Sequence, residues 1–406
     1  MNRFLQIDFR FLFLAGMLVF LPGLEALKNI CAFLFVITWL VYSKKNNDWG
    51  GRWQVIDSIF FLWLAVDVLI SINAVMTHNL PGGGFSDVLR YVLIAWVVSR
   101  TYFSNEDIKK LALLSLLGTI LTLAYSYYST NGVLEELYSV GHINHTAIFL
   151  LISYSISLSL LLFNFNNLTF NQKVLLCLTS IILFFSTIDT HSRATFGLIL
   201  LVTLIFSIYF LFKLKKLNVI LLFFFISLIV GTSFLQNPPR ALERILQSES
   251  ILKDDTREKI RNFSYYAFKE NPMLGIGFGN YHQIEIKDIK DSVIKDKGIF
   301  DQSQFIPSSH AHNLYYTYLV GGGILIFTIF LWFWFYVVWI INKLMFIRKK
   351  NEWIIFSGLG VTLINLLIGW FNTTFHHEHA LLSMFILGLL ISQYRITKNS
   401  NKSQLN

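Results

Sequence analysis

"GGGILIFTIFLWFWFYVVWIIN" runs from Gly321 to Asn342 without one Asp, Glu, Lys or Arg. A helix rises about 1.5 Å per residue, so roughly 20 apolar residues cross a hydrocarbon core about 30 Å thick. This run is long enough to do so. Similar stretches recur along the chain, and they set the class. Of 406 residues, 54% are hydrophobic and only 14% charged. A soluble chain is about a quarter charged, so little polar side chain is available here for a wetted surface. The pattern predicts an all-α polytopic membrane protein.

Twelve spans are expected: 11–27, 29–43, 56–75, 88–104, 108–128, 146–165, 173–189, 193–212, 217–236, 313–342, 353–372 and 379–395. Several fall short of 20 residues, which predicts tilted or broken helices. The first is expected to stay with the protein, since residues 1–20 lack a small-residue cleavage pattern and a second span follows at once. Lys and Arg gather in alternate loops, among them Lys44, Lys45 and Arg52, then Lys213, Lys215 and Lys216, then Lys343, Arg348, Lys349 and Lys350. Cytoplasmic loops collect such residues, so both termini are expected in the cytoplasm and segment 237–312 outside it. The chain then divides into spans over 1–236, an outer loop subdomain over 237–312, spans over 313–395 and a cytoplasmic tail over 396–406. The net charge of +9 follows from the inner loops. It suits the anionic membrane surface and calls for no nucleic acid. Cys31 and Cys177 both lie inside spans, where they read as packing residues.

The outer segment is balanced in charge and is not low-complexity. "DDTREKIRNFSYYAFKENP" (Asp254–Pro272) places Ile260, Phe263, Ala267 and Phe268 at helical spacing. It predicts an amphipathic helix capped near Asp255 and stopped by Pro272. Gly275, Gly277 and Gly279 follow. No strand precedes them, so a packing turn is expected rather than a nucleotide loop.

Charge and imidazole collect at the outer ends of spans. Asp189, His191 and Arg193 share a very short turn; Arg193 there either snorkels to headgroups or faces a partner. Arg257 and Arg261 lie one helical turn apart on the amphipathic helix, where the ordinary reading is a solvated partner of Asp254 or Glu258. "SSHAHNLYYTYLVGGG" (Ser308–Gly323) puts His310, His312 and Asn313 at the mouth of a span. Imidazole titrates near neutral pH, so it suits general-base work.

"HSRATFGL" (191–198), "TREKIRNFSYYAFKENPMLGIGFGN" (256–280) and "HAHNLYYTYLVGGG" (310–323) together resemble the ordered segments of bacterial O-antigen ligases and the related O-antigen polymerases. The resemblance implies about twelve spans, a large periplasmic loop before a His-Asn motif, and cytoplasmic termini. It also implies an inverting, metal-independent glycosyltransferase of the bacterial inner membrane, with its site facing the periplasm and no cofactor. The donor would be an undecaprenyl-diphosphate-linked glycan and the acceptor lipid A–core, both embedded among membrane lipids. Carried over by motif, Arg193 and Arg257 hold the diphosphate and His312 activates the acceptor hydroxyl. Arg261, His310 and Asn313 lie beside them in the same motifs. The family pattern wants a Gly ten residues after Asn313, met by Gly323, and a small residue three further on, where this chain has Ile326.

Other groups were weighed beside these. His142 and His145 ("GHINHT") sit at an outer span mouth and either line the cleft or anchor the interface. Arg90, after "PGGGFSD", is a further phosphate contact. "FHHEHA" (375–380) offers His376, His377, Glu378 and His379, but three nearly adjacent ligands fit a helical zinc site poorly, and no metal is expected. Glu25 and Asp67 lie inside spans and are expected to find partners. Gly321–Gly323 are expected to let helices approach closely. Tyr315, Tyr316 and Tyr318 fit an interfacial belt or a sugar-stacking wall.

A ligase is preferred to a polymerase that extends lipid-linked repeats, on the compact outer loop and the HAHN motif. A protein O-oligosaccharyltransferase would carry more C-terminal soluble sequence. A transporter would carry its ionisable residues near the midplane, with internal repeats.

Overall fold

The computed structural model describes residues 8–82, 84–214, 255–347 and 351–403. Among them the fold is helical, with no strand. The membrane part contains α1 (Phe9–Phe20), α2 (Glu25–Asn46), α3 (Val55–His78), α4 (Phe85–Arg100), α5 (Asn105–Ser129), α6 (Ile143–Phe163), α7 (Phe170–Asp189) and α8 (Arg193–Leu214). The outer subdomain contributes α9 (Asp255–Glu270) and α10 (Ile286–Lys297). The bundle is completed by α11 (Leu314–Ile347), α12 (Glu352–Ile368) and α13 (His377–Ser403).

Every expected span coincides with a helix except 217–236, which lies outside the described residues. Among the described residues, eight helices are long and apolar enough to cross a bilayer: α2, α3, α5, α6, α7, α8, α11 and α13. Helices α1 and α12 are apolar but shorter, and α4 has 16 residues. The chain is therefore a multi-pass membrane protein.

Local sequence explains the helix ends. Ser104 caps α5 by accepting from the Asp107 amide, and Thr169 with Gln172 forms a capping box on α7. In the outer subdomain, α9 starts at Asp255 and ends two residues before Pro272, as its spacing predicts. Helix α10 stops at Gly298, whose φ of 74° only glycine adopts without cost. Phe263, Tyr266, Ile289, Val293 and Phe305 bury a separate small core between them, and Ala311 and Val320 of the α11 region join it. The subdomain is thus seated on the start of α11.

Helices α6 and α13 are central and nearly all buried, while α2 faces outward along most of its length. Helix α13 packs on α4, α6, α11 and α12. A polar knot fixes one end of this packing. Asp57, fully buried at the start of α3, accepts from Trp96 Nε1 at 2.8 Å, Arg100 Nε at 2.7 Å and Arg395 Nη2 at 2.7 Å. Its other oxygen accepts from the Gln54 amide at 2.8 Å. One carboxylate therefore ties α3 to the last turn of α4 and to α13. At the opposite end, buried Lys28 (α2) pairs with buried Glu378 (α13), and both bond to Ser139. Two oppositely placed ionic knots hold these helices in register.

Two sequence expectations need correction. Asp67 is fully buried, yet neither carboxylate oxygen has a hydrogen-bond partner. Glu25 lies exposed at the first residue of α2, so it needs no partner within the bundle.

Removing the Asp57 carboxylate strands two buried guanidinium groups. Asp57→Ala is expected to destabilise the fold by about 3–5 kcal/mol, against about 1 kcal/mol for Trp96→Phe, which loses one hydrogen bond. Thermal denaturation of both variants in one detergent checks the order; equal shifts would contradict it.

Candidate active site

The end of the bundle that carries α9 and α10 is organised by a break in α11. Gly323 has φ 66° and ψ −169°, a conformation essentially restricted to glycine. The break frees backbone groups that a continuous helix would pair internally. A loop of the outer subdomain takes them up. Ile276 donates its amide to the Val320 carbonyl at 3.1 Å, and Gly277 donates to the Gly321 carbonyl at 2.8 Å. On the far side, Ile324 donates to the Pro272 carbonyl at 2.8 Å. Side chains would not fit between these backbones. A Cβ on Gly275 would lie 2.5 Å from the Val320 oxygen, and one on Gly323 would lie 2.3 Å from the Met273 carbonyl carbon. The GxGxG run is therefore a packing turn, as expected. Gly321 and Gly323 admit the loop, and Gly322 faces Ile70 of α3, so the triplet serves both a loop and the helix approach that the sequence suggests. Ile326, the departure from the small-residue pattern, is buried and lies over the bare face of Gly322.

The docked loop roofs a cavity of about 250 Å³. The ends of four helices meet there: Asp87 and Tyr91 of α4, His145 of α6, Thr317 and Tyr318 of α11, and His376 just before α13. Gly277, Phe278 and Gly279 close one side, with Ser309, His310 and Ala311 on another. Beneath it the Tyr91 and Tyr318 hydroxyls are hydrogen-bonded at 2.8 Å, and Trp63 stacks edge-on against both rings. This floor is apolar and rigid. The rim is imidazole-rich.

Asn313 sets the direction of the rim at α11. Its Oδ1 accepts from the Tyr316 amide at 3.0 Å, and its Nδ2 donates to the Trp370 carbonyl at 3.0 Å. The Leu314 amide donates to the Gly369 carbonyl at 2.7 Å. The residue is buried and caps α11 against the end of α12. Both ends of its amide are engaged within the protein, so it positions the preceding residues instead of reaching outward. His312 adopts φ 47° just before this cap, and its ring stands 3.9 Å from that of His310. His191 and His377 are also left-handed, at 56° and 45°. Histidine tolerates that region better than most residues, and strained backbone gathers at working sites.

The histidines are electrostatically coupled. Burial, reinforced by His142, holds the His310 imidazole below its ordinary value, and its Nδ1 lies 2.9 Å from the Ser309 hydroxyl. Burial and the adjacent His377 push His376 down to about 3. Both are held in the neutral form, whose unprotonated ring nitrogen accepts a hydrogen bond. His145 stacks against His376, His377 and His379 at 5.2–6.3 Å. His142 caps α6 by accepting from the Asn144 amide.

The sequence-predicted residues divide into two sets. His145 and His310 line the cavity, His312 stands directly beside His310, and Arg90 is held at its edge by Asp87 at 2.5 Å and Asn29 at 2.7 Å. Arg193 is exposed as the first residue of α8, while Arg257 is half-buried and Arg261 exposed on α9. None of these three is part of the cavity lining. Arg261 comes within electrostatic range of the Tyr316 hydroxyl, on the first turn of α11. Sequence reasoning missed Tyr91 and gave no role to Asp87 or Phe375, although they lie in the PGGGFSD and FHHEHA runs; only the packing of α4 on α13 brings the three together.

Residues 178–331 match a family model described as O-antigen ligase. Over that stretch the chain is similar to the O-antigen ligase family. The match includes Arg193, Arg257, both histidines of HAHN and the broken half of α11, and it supports a glycosyltransferase-like membrane enzyme. No curated protein matches the chain in a sequence search. Helices α4 and α6 and the segment just before α13 supply much of the cavity from outside the ligase-family segment.

If the break in α11 carries the roof, Gly323→Ala should open it. Strain at that φ/ψ costs about 1–3 kcal/mol before the clash with Met273 is counted. Proteolysis of the 271–280 loop should accelerate in Gly323→Ala and stay unchanged in Gly298→Ala; equal cleavage rates would contradict the docking.

Proposed function

We propose that the protein is an O-antigen ligase of the bacterial inner membrane, working on the periplasmic side. The donor is a polysaccharide on undecaprenyl diphosphate and the acceptor a sugar hydroxyl of lipid A–core. The observation that carries this reading is the neutral-imidazole rim, built where the ligase-family segment, the α9–α10 subdomain included, meets α4, α6 and the residues before α13 at one end of the bundle. On the positive-inside pattern of the loops, that end is the non-cytoplasmic one, so twelve spans with inward termini are part of the proposal.

The chemistry follows from what such a compartment lacks. Without ATP, the driving force resides in the donor's glycosyl phosphate bond. The acceptor oxygen attacks the anomeric carbon from the face opposite the diphosphate. The carbon–oxygen bond to phosphate breaks, undecaprenyl diphosphate departs with the electron pair, and configuration inverts. Two demands remain. The leaving diphosphate gathers negative charge, and guanidinium forks bind phosphate oxygens in pairs. We assign this to Arg193 and Arg257, with Arg261 and Arg90 as further contacts. Fixed cations at a leaving group are worth several kcal/mol of barrier in a dry site. The acceptor proton must also go somewhere, and we assign it to His312. The transfer step in this reading needs no metal.

A second reading of the base has its own support. His310, not His312, lines the cavity, and its imidazole is held in the accepting form by burial. The same holds for ligase against polymerase: both share the donor and differ in the acceptor.

His312→Ala should abolish glycan transfer while membrane insertion is retained, whereas His310→Ala should keep a measurable rate; the reverse order would move the base to His310. Arg193→Lys and Arg257→Lys should restore little activity over the Ala variants, since an ammonium lacks the fork. A deletion strain separates the acceptors. Bare lipid A–core with polymer retained on undecaprenyl diphosphate is the ligase outcome, and core capped by a single repeat is the polymerase outcome.

A further inference from the structure

The histidines of FHHEHA fit a metal poorly when taken from their own helix alone. The fold changes the ligand set. Asp87, on the first turn of α4, comes to the same place as His376 and His377, and one ligand atom of each lies within 4.8 Å of the other two. Successive residues of a helix point about 100° apart, so neighbours rarely share a ligand. Here His377 is left-handed at φ 45°, and the two rings stand only 3.4 Å apart, centroid to centroid. A second observation points the same way. His376 Nδ1 is buried without a hydrogen-bond partner, an arrangement that costs stability unless something occupies it. Arg90 Nη2 donates to Asp87 Oδ1, which holds the carboxylate in place beside the two rings.

We propose that Asp87, His376 and His377 form a binding site for a zinc-type divalent cation at the rim of the cavity. Two imidazoles and a carboxylate are the donors that favour Zn²⁺ over Mg²⁺ or Ca²⁺, which prefer oxygen-rich shells. Ligand atoms around tetrahedral zinc lie on the order of 3.3 Å apart, so side-chain rotation has to close the set by about 1–1.5 Å. Three protein ligands leave the fourth position to water. The ion ties the start of α4 to the start of α13, next to the surface formed by His145 and His310. All three ligands lie outside residues 178–331, and two of them, Asp87 and His376, line the cavity itself, so the site's place rests on the reading of that cavity while no transfer step is routed through the ion.

The test uses the full chain, free of any affinity tag, in detergent micelles after chelator treatment. Calorimetric titration with Zn²⁺ should give one site per chain, a Tm that rises with zinc and no comparable rise with Mg²⁺. Asp87→Asn and His377→Gln should each weaken zinc binding by about tenfold or more, and exposed His282→Ala should leave it unchanged. X-ray absorption at the zinc edge of the unmodified protein should read two imidazoles with oxygen ligands, which keeps the test valid if a variant misfolds. No stoichiometric zinc, equal binding of Mg²⁺, or full zinc affinity in both ligand variants would each overturn the site.

Discussion

Backbone hydrogen bonding is the constraint on which the outer half of this protein depends. A helix broken near membrane depth must have its freed amides and carbonyls paired by protein, since lipid offers no partner. Helix α11 breaks at Gly323, and the Pro272–Gly279 loop supplies the missing partners from both sides of the break. The same contacts attach the outer subdomain, close one wall of the cavity and fix the direction from which HAHN enters the bundle. Fold and site therefore share one joint.

The two ionic knots complete this arrangement. Asp57 gathers Trp96, Arg100 and Arg395 at one end, and Lys28 with Glu378 clamps the start of α13 at the other. Buried pairs of this kind contribute little net stability, but they penalise every register in which a partner is lost. Helix α13 is held at both ends, and the histidines that precede and open it are presented to α4 and α6 in one orientation. The cavity floor of Trp63, Tyr91 and Tyr318 is rigid for a different reason: its aromatic rings interlock and its hydroxyls satisfy each other.

Much of this was legible in the residue order. A run such as Gly321–Asn342 has one physical outcome, and the spacing from Asp255 to Pro272 specifies a helix with a stop. The three glycines at 275, 277 and 279 read as a turn for want of a strand. What stayed hidden are the pairings that span the chain. Asp57 and Arg395 are 338 residues apart, and Lys28 and Glu378 are 350 apart. No periodicity records such contacts. Asp87 carried no signal beside the histidines of FHHEHA, because only tertiary packing makes them neighbours. The Gly321–Gly323 triplet was visible as a place of close approach to a helix, which Gly322 meets at Ile70 of α3, but the loop that Gly321 and Gly323 admit follows from the backbone break alone. Asn313 stood out as a motif residue, and its geometry shows a cap that aims His312.

The central claim is that the reacting sugar of a lipid-linked glycan enters the imidazole-rimmed cavity under the 271–279 loop, while its diphosphate is assigned to Arg193 and Arg257 outside the lining. The most direct measurement is photo-crosslinking of a diazirine-bearing polyprenyl diphosphate sugar to the purified protein in vesicles, with the attachment points mapped by mass spectrometry. The account predicts attachment within residues 306–320 and 372–380, competed away by unlabelled polyprenyl diphosphate. Attachment confined to the opposite end of the bundle, around Asp57 and Arg100, or labelling that no competitor reduces, would contradict it.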